Sequence, residues 1–308
     1  MVPATELSAG GAAPARPDTP ERLLRRLEWQ VLRRLDGRLQ GDYRTLLRGE
    51  GVDLRDLREY EPGDDLRHLD WNVTARTDVP HIRTYAEDRE LTAWLVLDRS
   101  SSMGFGRAAR PKRRAATDLL TTLALVLARG GNRVGAVLFG DGVEVTIPPR
   151  HGRAQVLAIA RALLADPPPS HVPTDLGPVL RAVAGMARHR SLVFVVSDFV
   201  TRPGWERSLT LLARRHEVVA VQVVDAAEGD LPDAGLVAIE DAETGQQVLV
   251  DTGDPVFRKR LRELTIARQQ RLVETVARAG IPLHVVSTDE DLVAALVRMA
   301  HLRGRWHR

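Results

Sequence analysis

The chain has 308 residues, of which 44% are hydrophobic and 28% charged, a balance typical of globular proteins with a sizeable core. It contains no cysteine, which excludes disulfides, thiolate metal ligands and cysteine nucleophiles. The 44 basic and 41 acidic residues leave a formal charge of only +3. The pI near 9.7 reflects the dominance of arginine, since Lys112 and Lys259 are the only lysines, and does not by itself indicate nucleic-acid binding.

The N-terminal residues 1–20 are rich in alanine, proline and glycine, and we expect them to form a disordered tail. They lack the basic and apolar regions of a signal peptide. The longest apolar stretch, residues 119–128, is shorter than the roughly 20 residues that cross a bilayer. We therefore expect a soluble, cytoplasmic protein without stable membrane insertion.

Residues 21–90 are predicted to form an N-terminal region distinct from the main domain, residues 91–308. In residues 21–40, leucine and valine recur at steps of three and four, which predicts one amphipathic helix. Residues 41–90, called the arm below, are charged and rich in turn residues.

From Leu91 onward, strand-like and helical patterns alternate. Near-continuous valine and leucine runs indicate strands buried on both faces, which is typical of a parallel sheet. The predicted strands are 92–98, 133–140, 143–149, 191–199, 217–225 and 282–288, with a further hairpin within 237–251. The predicted helices are 111–129, 152–165, 176–189, 204–215, 254–279 and one from Asp289. The pattern predicts a Rossmann-like, doubly wound α/β fold, mostly parallel, with 143–149 as an antiparallel edge strand.

Oxygen-bearing side chains follow the predicted strands. Asp98 ends one strand and is followed at alternate positions by Ser100 and Ser102 in the segment DRSSS. Asp198 ends another strand, and Thr174 precedes a predicted helix. Ligands of doubly wound sheets bind beyond the carboxyl ends of the strands, and hard oxygen ligands suit Mg²⁺ or Mn²⁺. The alternative is a plain strand-to-helix loop whose serines cap the next helix.

These five residues match the D-x-S-x-S…T…D pattern of the metal-ion-dependent adhesion site, so the segment resembles von Willebrand factor type A domains. The resemblance implies that Ser100, Ser102 and Thr174 ligate the metal directly, while Asp98 and Asp198 often act through water. It also implies that a carboxylate from a partner protein fills an open position on the metal.

The arm carries a second pattern, LREYEPGDDLRHLDWNVTAR, in which EPGDD predicts a turn and Leu66, Leu69 and Trp71 are expected to be available for burial. With the segments DRSSSMGFG and NRVGAVLFGDGV it closely resembles bacterial proteins of the domain-of-unknown-function family 58. That resemblance implies a role as adaptor or chaperone partner of a MoxR-type AAA+ ATPase and possibly of its client. The expected docking or structural residues of the arm are Arg58, Glu59, Tyr60, Pro62, Gly63, Asp64, Asp65, Arg67, Asp70, Trp71 and Arg76.

We expect a non-enzymatic protein. Phosphatases of the haloacid-dehalogenase type carry a second acid two residues after the nucleophilic aspartate, and that position is Ser100 here. A receiver-like phosphoacceptor role for Asp98 is disfavoured because neither lysine ends a strand, and the segment RPKRRAA around Lys112 is predicted to be a solvated helix start. The alternatives left open are an Mg²⁺-dependent hydrolase and, less favoured, a nucleic-acid-binding protein.

Overall fold

The computed structural model of the protein describes residues 18–38, 56–61, 64, 69–84, 91–105, 111–168, 172–228, 234–240 and 246–306. Of the tail predicted for residues 1–20, residues 1–17 lie outside these ranges, whereas Thr19 caps α1 and Pro20 begins it. The helices are α1 (Pro20–Leu27), α2 (Arg33–Arg38), α3 (Trp71–Thr77), α4 (Lys112–Arg129), α5 (Gly152–Leu164), α6 (Leu176–Met186), α7 (Glu206–Arg215), α8 (Pro255–Arg278) and α9 (Leu292–Trp306). The strands are β1 (Asp56–Glu59), β2 (His81–Thr84), β3 (Thr92–Asp98), β4 (Arg133–Phe139), β5 (Val143–Arg150), β6 (Leu192–Ser197), β7 (Glu217–Val224), β8 (Leu236–Glu240), β9 (Gln247–Asp251) and β10 (Leu283–Ser287).

The central sheet has six strands in the order β10-β7-β6-β3-β4-β5. Its neighbouring strands are parallel except for β5, which runs antiparallel to β4 at one edge. The prediction of a mostly parallel α/β sheet with an antiparallel edge strand over 143–149 is therefore confirmed. The second predicted hairpin is also present, as the antiparallel pair β8 and β9.

Helices cover both faces of this sheet. On β3, Ala93, Leu95 and Leu97 face one core, and Trp94 and Val96 face the other, as the two-residue period of a strand requires. The first core is completed by α1, α4, α5 and α9, the second by α6, α7 and the end of α8. The sheet is thus buried on both sides, which is why its strands are apolar almost throughout.

The helix predicted over residues 21–40 forms α1 and α2, joined by a π-helical turn at Glu28–Leu32. Its leucines belong to the same core as α4 and α5, so this part of the N-terminal region packs on the main domain. The strand predicted over 191–199 ends earlier, at Ser197. The physical reason is local, because Phe199 has φ of 57° and leaves the β region.

In the arm, β1 pairs with β2 in an antiparallel two-stranded sheet, and α3 lies between them in the chain. The amide of Asp64 donates to the carbonyl of Glu61 at 3.1 Å, in agreement with the predicted turn. Asp70 is buried and caps α3, because its Oδ1 accepts from the amide of Val73 at 3.2 Å. The expected burial of Trp71 is wrong: as the first residue of α3 it is 74% exposed.

The other arm residues that we expected to dock a partner or support the fold differ in exposure, and some lie outside the described residues. Glu59 and Arg76 are exposed, Tyr60 is half-buried, and Arg58 lies in β1, where its backbone pairs with Ile82. The predictions for four further arm residues lie outside the described residues; these are Pro62, Gly63, Asp65 and Arg67. Across the described ranges, no helix combines the length and hydropathy needed to cross a membrane.

His284 makes the fold sensitive to acid. It lies on β10 with a side chain that is 3% exposed, and burial, followed by the charge of Arg298, lowers its pKa from 6.5 to about 4. The unfolded chain therefore binds a proton that the folded chain does not, and stability should be lost as pH falls from about 6.5 to about 4. The shift corresponds to about 3 kcal/mol.

We predict that His284→Gln flattens this acid limb, measured as the free energy of unfolding in urea between pH 7 and pH 4. The exposed His189 supplies the control, and His189→Gln should leave the slope unchanged. An unaltered slope in His284→Gln would show that His284 does not titrate with unfolding.

Candidate metal site

The candidate site lies where β3 and β6 end side by side. In the register of this parallel pair, Leu97 is opposite Val196, so Asp98 and Ser197 are the next residues on each strand. The chain leaves β3 for α4 on one face of the sheet and leaves β6 for α7 on the other. This divergence is the topological switch point of a doubly wound sheet, the position at which such folds bind ligands.

Asp98 is fully buried and held by two hydrogen bonds. Its Oδ1 accepts from the amide of Ser100 at 2.9 Å, and its Oδ2 accepts from the hydroxyl of Ser197 at 2.6 Å. Burial, and next to it the charge of Asp198, raise the pKa of Asp98 to about 7, although the hydrogen bonds from Ser197 and Ser100 oppose this rise. Asp98 and Asp198 are thus electrostatic neighbours.

Ser100 and Ser102 lie together just beyond β3. A 3-10 turn at Ser101–Gly104 folds the loop back, and the amide of Met103 donates to the carbonyl of Ser100 at 3.1 Å. The two hydroxyl oxygens are 3.1 Å apart and buried. Adjacent ligands of an octahedral Mg²⁺ ion, each about 2.1 Å from the metal, are separated by about 3.0 Å. The spacing of this pair therefore suits a shared cation.

Asp198 follows β6, and both of its carboxylate oxygens have partners. Oδ1 accepts from the amide of Val200 at 2.9 Å, and Oδ2 accepts from the ammonium of Lys112 at 2.6 Å. The next residue, Phe199, adopts a left-handed conformation that is uncommon for residues other than glycine. Such conformations cluster at binding sites, because they set the direction of neighbouring side chains.

Thr174 is fixed beside the loop that follows β6. Its carbonyl accepts from the amide of Arg202 and from the hydroxyl of Thr201, both at 2.9 Å, and its side chain is buried. The structure therefore connects Asp98 to Ser100 and Ser100 to Ser102 by direct contacts, and ties the backbone of Thr174 to residues 201 and 202 of the loop that begins at Asp198.

Lys112 and Glu228 also belong to this cluster, and the sequence analysis missed them. The prediction of a solvated helix start around Lys112 is wrong for this residue, because its side chain is 0% exposed and also pairs with Glu228. Neither lysine ends a strand, yet Lys112 reaches the strand ends because it begins α4, which starts near the end of β3. A lysine as the first helical residue is unfavourable beside the helix dipole, and this was the available signal.

The donor set is compatible with a hard divalent cation. The hydroxyls of Ser100 and Ser102 offer neutral oxygens, while the oxygens of Asp98 and Asp198 already accept hydrogen bonds from the protein, which favours contact with an ion through water. Within the described part of the chain, no group of three or more histidine, cysteine, aspartate or glutamate residues could hold a metal. A metal here would therefore need the hydroxyls.

The fold and this site define a Rossmann-like α/β protein with a polar cluster at the switch point of its sheet. A family model described as "Protein of unknown function DUF58" matches residues 56–271, and the chain belongs to this family.

Two relatives are the uncharacterized proteins Rv1480 of Mycobacterium tuberculosis and Mb1516 of Mycobacterium bovis. Each is 38% identical over 283 residues, covering 92% of this chain and 89% of the relative. Among solved structures, the conserved hypothetical protein BatB from Bacteroides thetaiotaomicron matches with a TM-score of 0.46 and 16% identity, over 70% of this chain and 98% of that chain. The manganese-loaded TRAP protein of Plasmodium vivax matches with a TM-score of 0.32 and 18% identity, over 43% and 57% of the respective chains.

The raised pKa of Asp98 predicts a second, opposite pH dependence. The folded chain binds a proton that the unfolded chain releases, so ionisation of Asp98 should reduce stability as pH rises from about 4 to about 7. In the presence of a chelator, Asp98→Asn should remove this decline and exceed the wild type at pH 8 by on the order of 2 kcal/mol.

The measurement is urea unfolding across this pH range. Asp166→Asn is the control, since that side chain is 92% exposed and should not alter the profile. The single variant His284→Gln, which lacks the contribution of His284, isolates the effect of Asp98. If this variant keeps constant stability between pH 4 and pH 7, Asp98 is not protonated in this range.

Proposed function

We propose that this protein is a non-enzymatic module that binds another protein through a divalent cation, in the manner of von Willebrand factor type A domains. The observation that carries the proposal is the pair of buried serine hydroxyls, 3.1 Å apart, beside Asp98 at the switch point of the sheet, where the charge of Asp198 also acts. Ser100, Ser102 and Thr174 would hold Mg²⁺ or Mn²⁺ directly, with Asp98 and Asp198 acting through water.

The cation would supply a positively charged attachment point for a carboxylate of the partner. Neutral hydroxyls withdraw little charge from an ion, so the ion remains a strong acceptor for an anionic ligand. The protein itself positions the hydroxyls: the amide of Ser100 is tied to Asp98, and the turn after it brings Ser102 alongside. Burial lowers the local dielectric constant around the hydroxyls, which strengthens the electrostatic contacts.

The proposed partner is a MoxR-type AAA+ ATPase, alone or together with its client, and this step rests on the resemblance of the arm and the serine motif. Exposed arm residues would offer a second docking surface; these are Glu59, Trp71 and Arg76. A large exposed aromatic side chain such as Trp71 is typical of the residues that dominate protein interfaces. Because the ATPase requires ATP, the proposal locates the interaction in the cytoplasm.

A second candidate is an Mg²⁺-dependent hydrolase acting on phosphate esters. The ammonium of Lys112 beside Asp198, together with the raised pKa of Asp98, favours it, since both occur at sites of phosphoryl transfer. Against it, Asp98 accepts hydrogen bonds at both oxygens and Ser100 stands where a general acid would be needed. Turnover of generic phosphate esters with Mg²⁺ or Mn²⁺, lost in Asp98→Asn, would promote this alternative.

We predict that the double variant Ser100→Ala/Ser102→Ala lowers Mn²⁺ affinity at least tenfold, because it removes two direct ligands. Isothermal titration of the chelator-treated protein with Mn²⁺ measures the affinity. Thermal unfolding with and without Mn²⁺ gives a second readout, since a ligand that binds the folded state raises the midpoint. Ser101→Ala, between the two serines in the chain, is the matched control and should retain binding.

The same double variant should lose Mg²⁺-dependent capture of a MoxR-type ATPase in a pull-down, as should the wild type in EDTA. Capture that is unchanged in both conditions would falsify the metal-dependent mechanism. Wild-type protein that binds no Mn²⁺ in the titration would show that the proposed metal-dependent function is wrong for the natural sequence.

A further inference from the structure

The side chain of Lys112 is a fully buried charged group at the candidate site, 0% exposed like Asp98. Its ammonium donates to Oδ2 of Asp198 at 2.6 Å and pairs with Glu228, which follows β7 in a 3-10 turn. The aliphatic part of the side chain is enclosed as well, and the ring of Phe105 lies with its centroid 6.0 Å from the ammonium. One lysine thus connects the ends of three strands of the sheet.

This position is costly unless the charge is compensated. An ammonium removed from water needs a hydrogen-bonded anion, and the first turn of a helix repels a cation. The amide of Lys112 is fixed by the carbonyl of Phe105 at 3.0 Å, so the residue begins α4 at a defined place beside the serine loop. The carboxylates of Asp198 and Glu228 therefore compensate a charge that the backbone holds in the site.

The charges at the site are unequal in number. Lys112 pairs with two carboxylates, Asp198 and Glu228, while Asp98 is an electrostatic neighbour of Asp198. The guanidinium of Arg268 approaches the main-chain carbonyl of Asp198 at 3.4 Å. When all three carboxyl groups are ionised, they outnumber these two cations, and a divalent cation would neutralise the excess negative charge. The same cation would, however, approach an aspartate that already has a cationic partner.

We propose that Lys112 is the resident counter-cation of the site: it occupies Asp198 when no divalent ion is bound and weakens the binding of such an ion by competing for that carboxylate. The inference rests on the proposed function and adds that Lys112 controls the affinity of the site for the divalent ion. Entry of the ion would release the ammonium from Asp198 toward Glu228, whose carboxylate is within reach in the same structure. The affinity for the divalent ion therefore depends on how much more strongly Asp198 interacts with that ion than with the ammonium of Lys112.

A structural ion pair and a competing cation predict opposite results. If Lys112 only stabilises the fold, its removal should leave Mn²⁺ affinity equal or reduced. If Lys112 competes, Lys112→Met should tighten Mn²⁺ binding at least tenfold, because a neighbouring positive charge is removed and Asp198 is released. Lys112→Arg keeps the charge and should bind Mn²⁺ as the wild type does.

The experiment is titration of the chelator-treated full chain with Mn²⁺ alone, by calorimetry and by the rise in unfolding temperature. Lys259→Met is the matched control, since Lys259 is the other lysine of the chain, lies exposed on α8, and changes the net charge equally. It should not alter the affinity. The double variant Lys112→Met/Glu228→Gln removes the ammonium together with one of its anions, so it avoids an additional unpaired charge; it too should bind more tightly than wild type.

The outcomes separate this inference from the proposed function. Tighter Mn²⁺ binding in Lys112→Met and in Lys112→Met/Glu228→Gln supports the competing role of Lys112. This holds even if the wild type binds no Mn²⁺ and the proposed function fails. If Lys112→Met and Lys112→Met/Glu228→Gln are folded but bind Mn²⁺ equally to the wild type, more weakly or not at all, the competing role is overturned. The gain must also disappear when Ser100→Ala/Ser102→Ala is added to Lys112→Met. A gain that persists would mean that the ion binds exposed carboxylates elsewhere, and would overturn the inference.

Discussion

The burial of charge at the carboxyl ends of β3 and β6 is the constraint on which the site depends. Asp98 and Asp198 are nearly inaccessible to water, and two neighbouring buried carboxylates repel each other. Three kinds of hydrogen-bond donor stabilise these carboxylates: main-chain amides, the hydroxyl of Ser197 and the ammonium of Lys112. These donors come from the last residue of β6 and from the loops and the helix that follow β3 and β6.

The two apolar cores give this cluster its rigidity. Valine and leucine on alternating faces of β3 and β6 pack against different helix layers, and their strand ends cannot shift separately. The switch point is therefore the one edge of the sheet where polar groups from diverging loops meet without disturbing either core. A close-packed scaffold of this kind can hold hydroxyls at a ligand spacing that a flexible loop would not maintain.

The arm follows a different physical logic. Asp70 serves α3 as a cap, and Asp64 lies in the turn after β1, so these conserve local backbone geometry within the arm. Trp71 is exposed although its size would favour burial. The arm and the strand-end cluster are thus distinct features of one chain, one built on backbone turns and the other on buried charge.

The sequence by itself determined the order of strands and helices, the antiparallel edge and the placement of Asp98 at a strand end, because these depend on local periodicity and on strand-length apolar runs. Only the tertiary structure decided which loops meet. Lys112 and Glu228 are separated by 116 residues, and no local pattern relates them to Asp198. Their contact depends on β3, β6 and β7 lying side by side with their ends at the same edge, which is a property of the sheet and of no single segment.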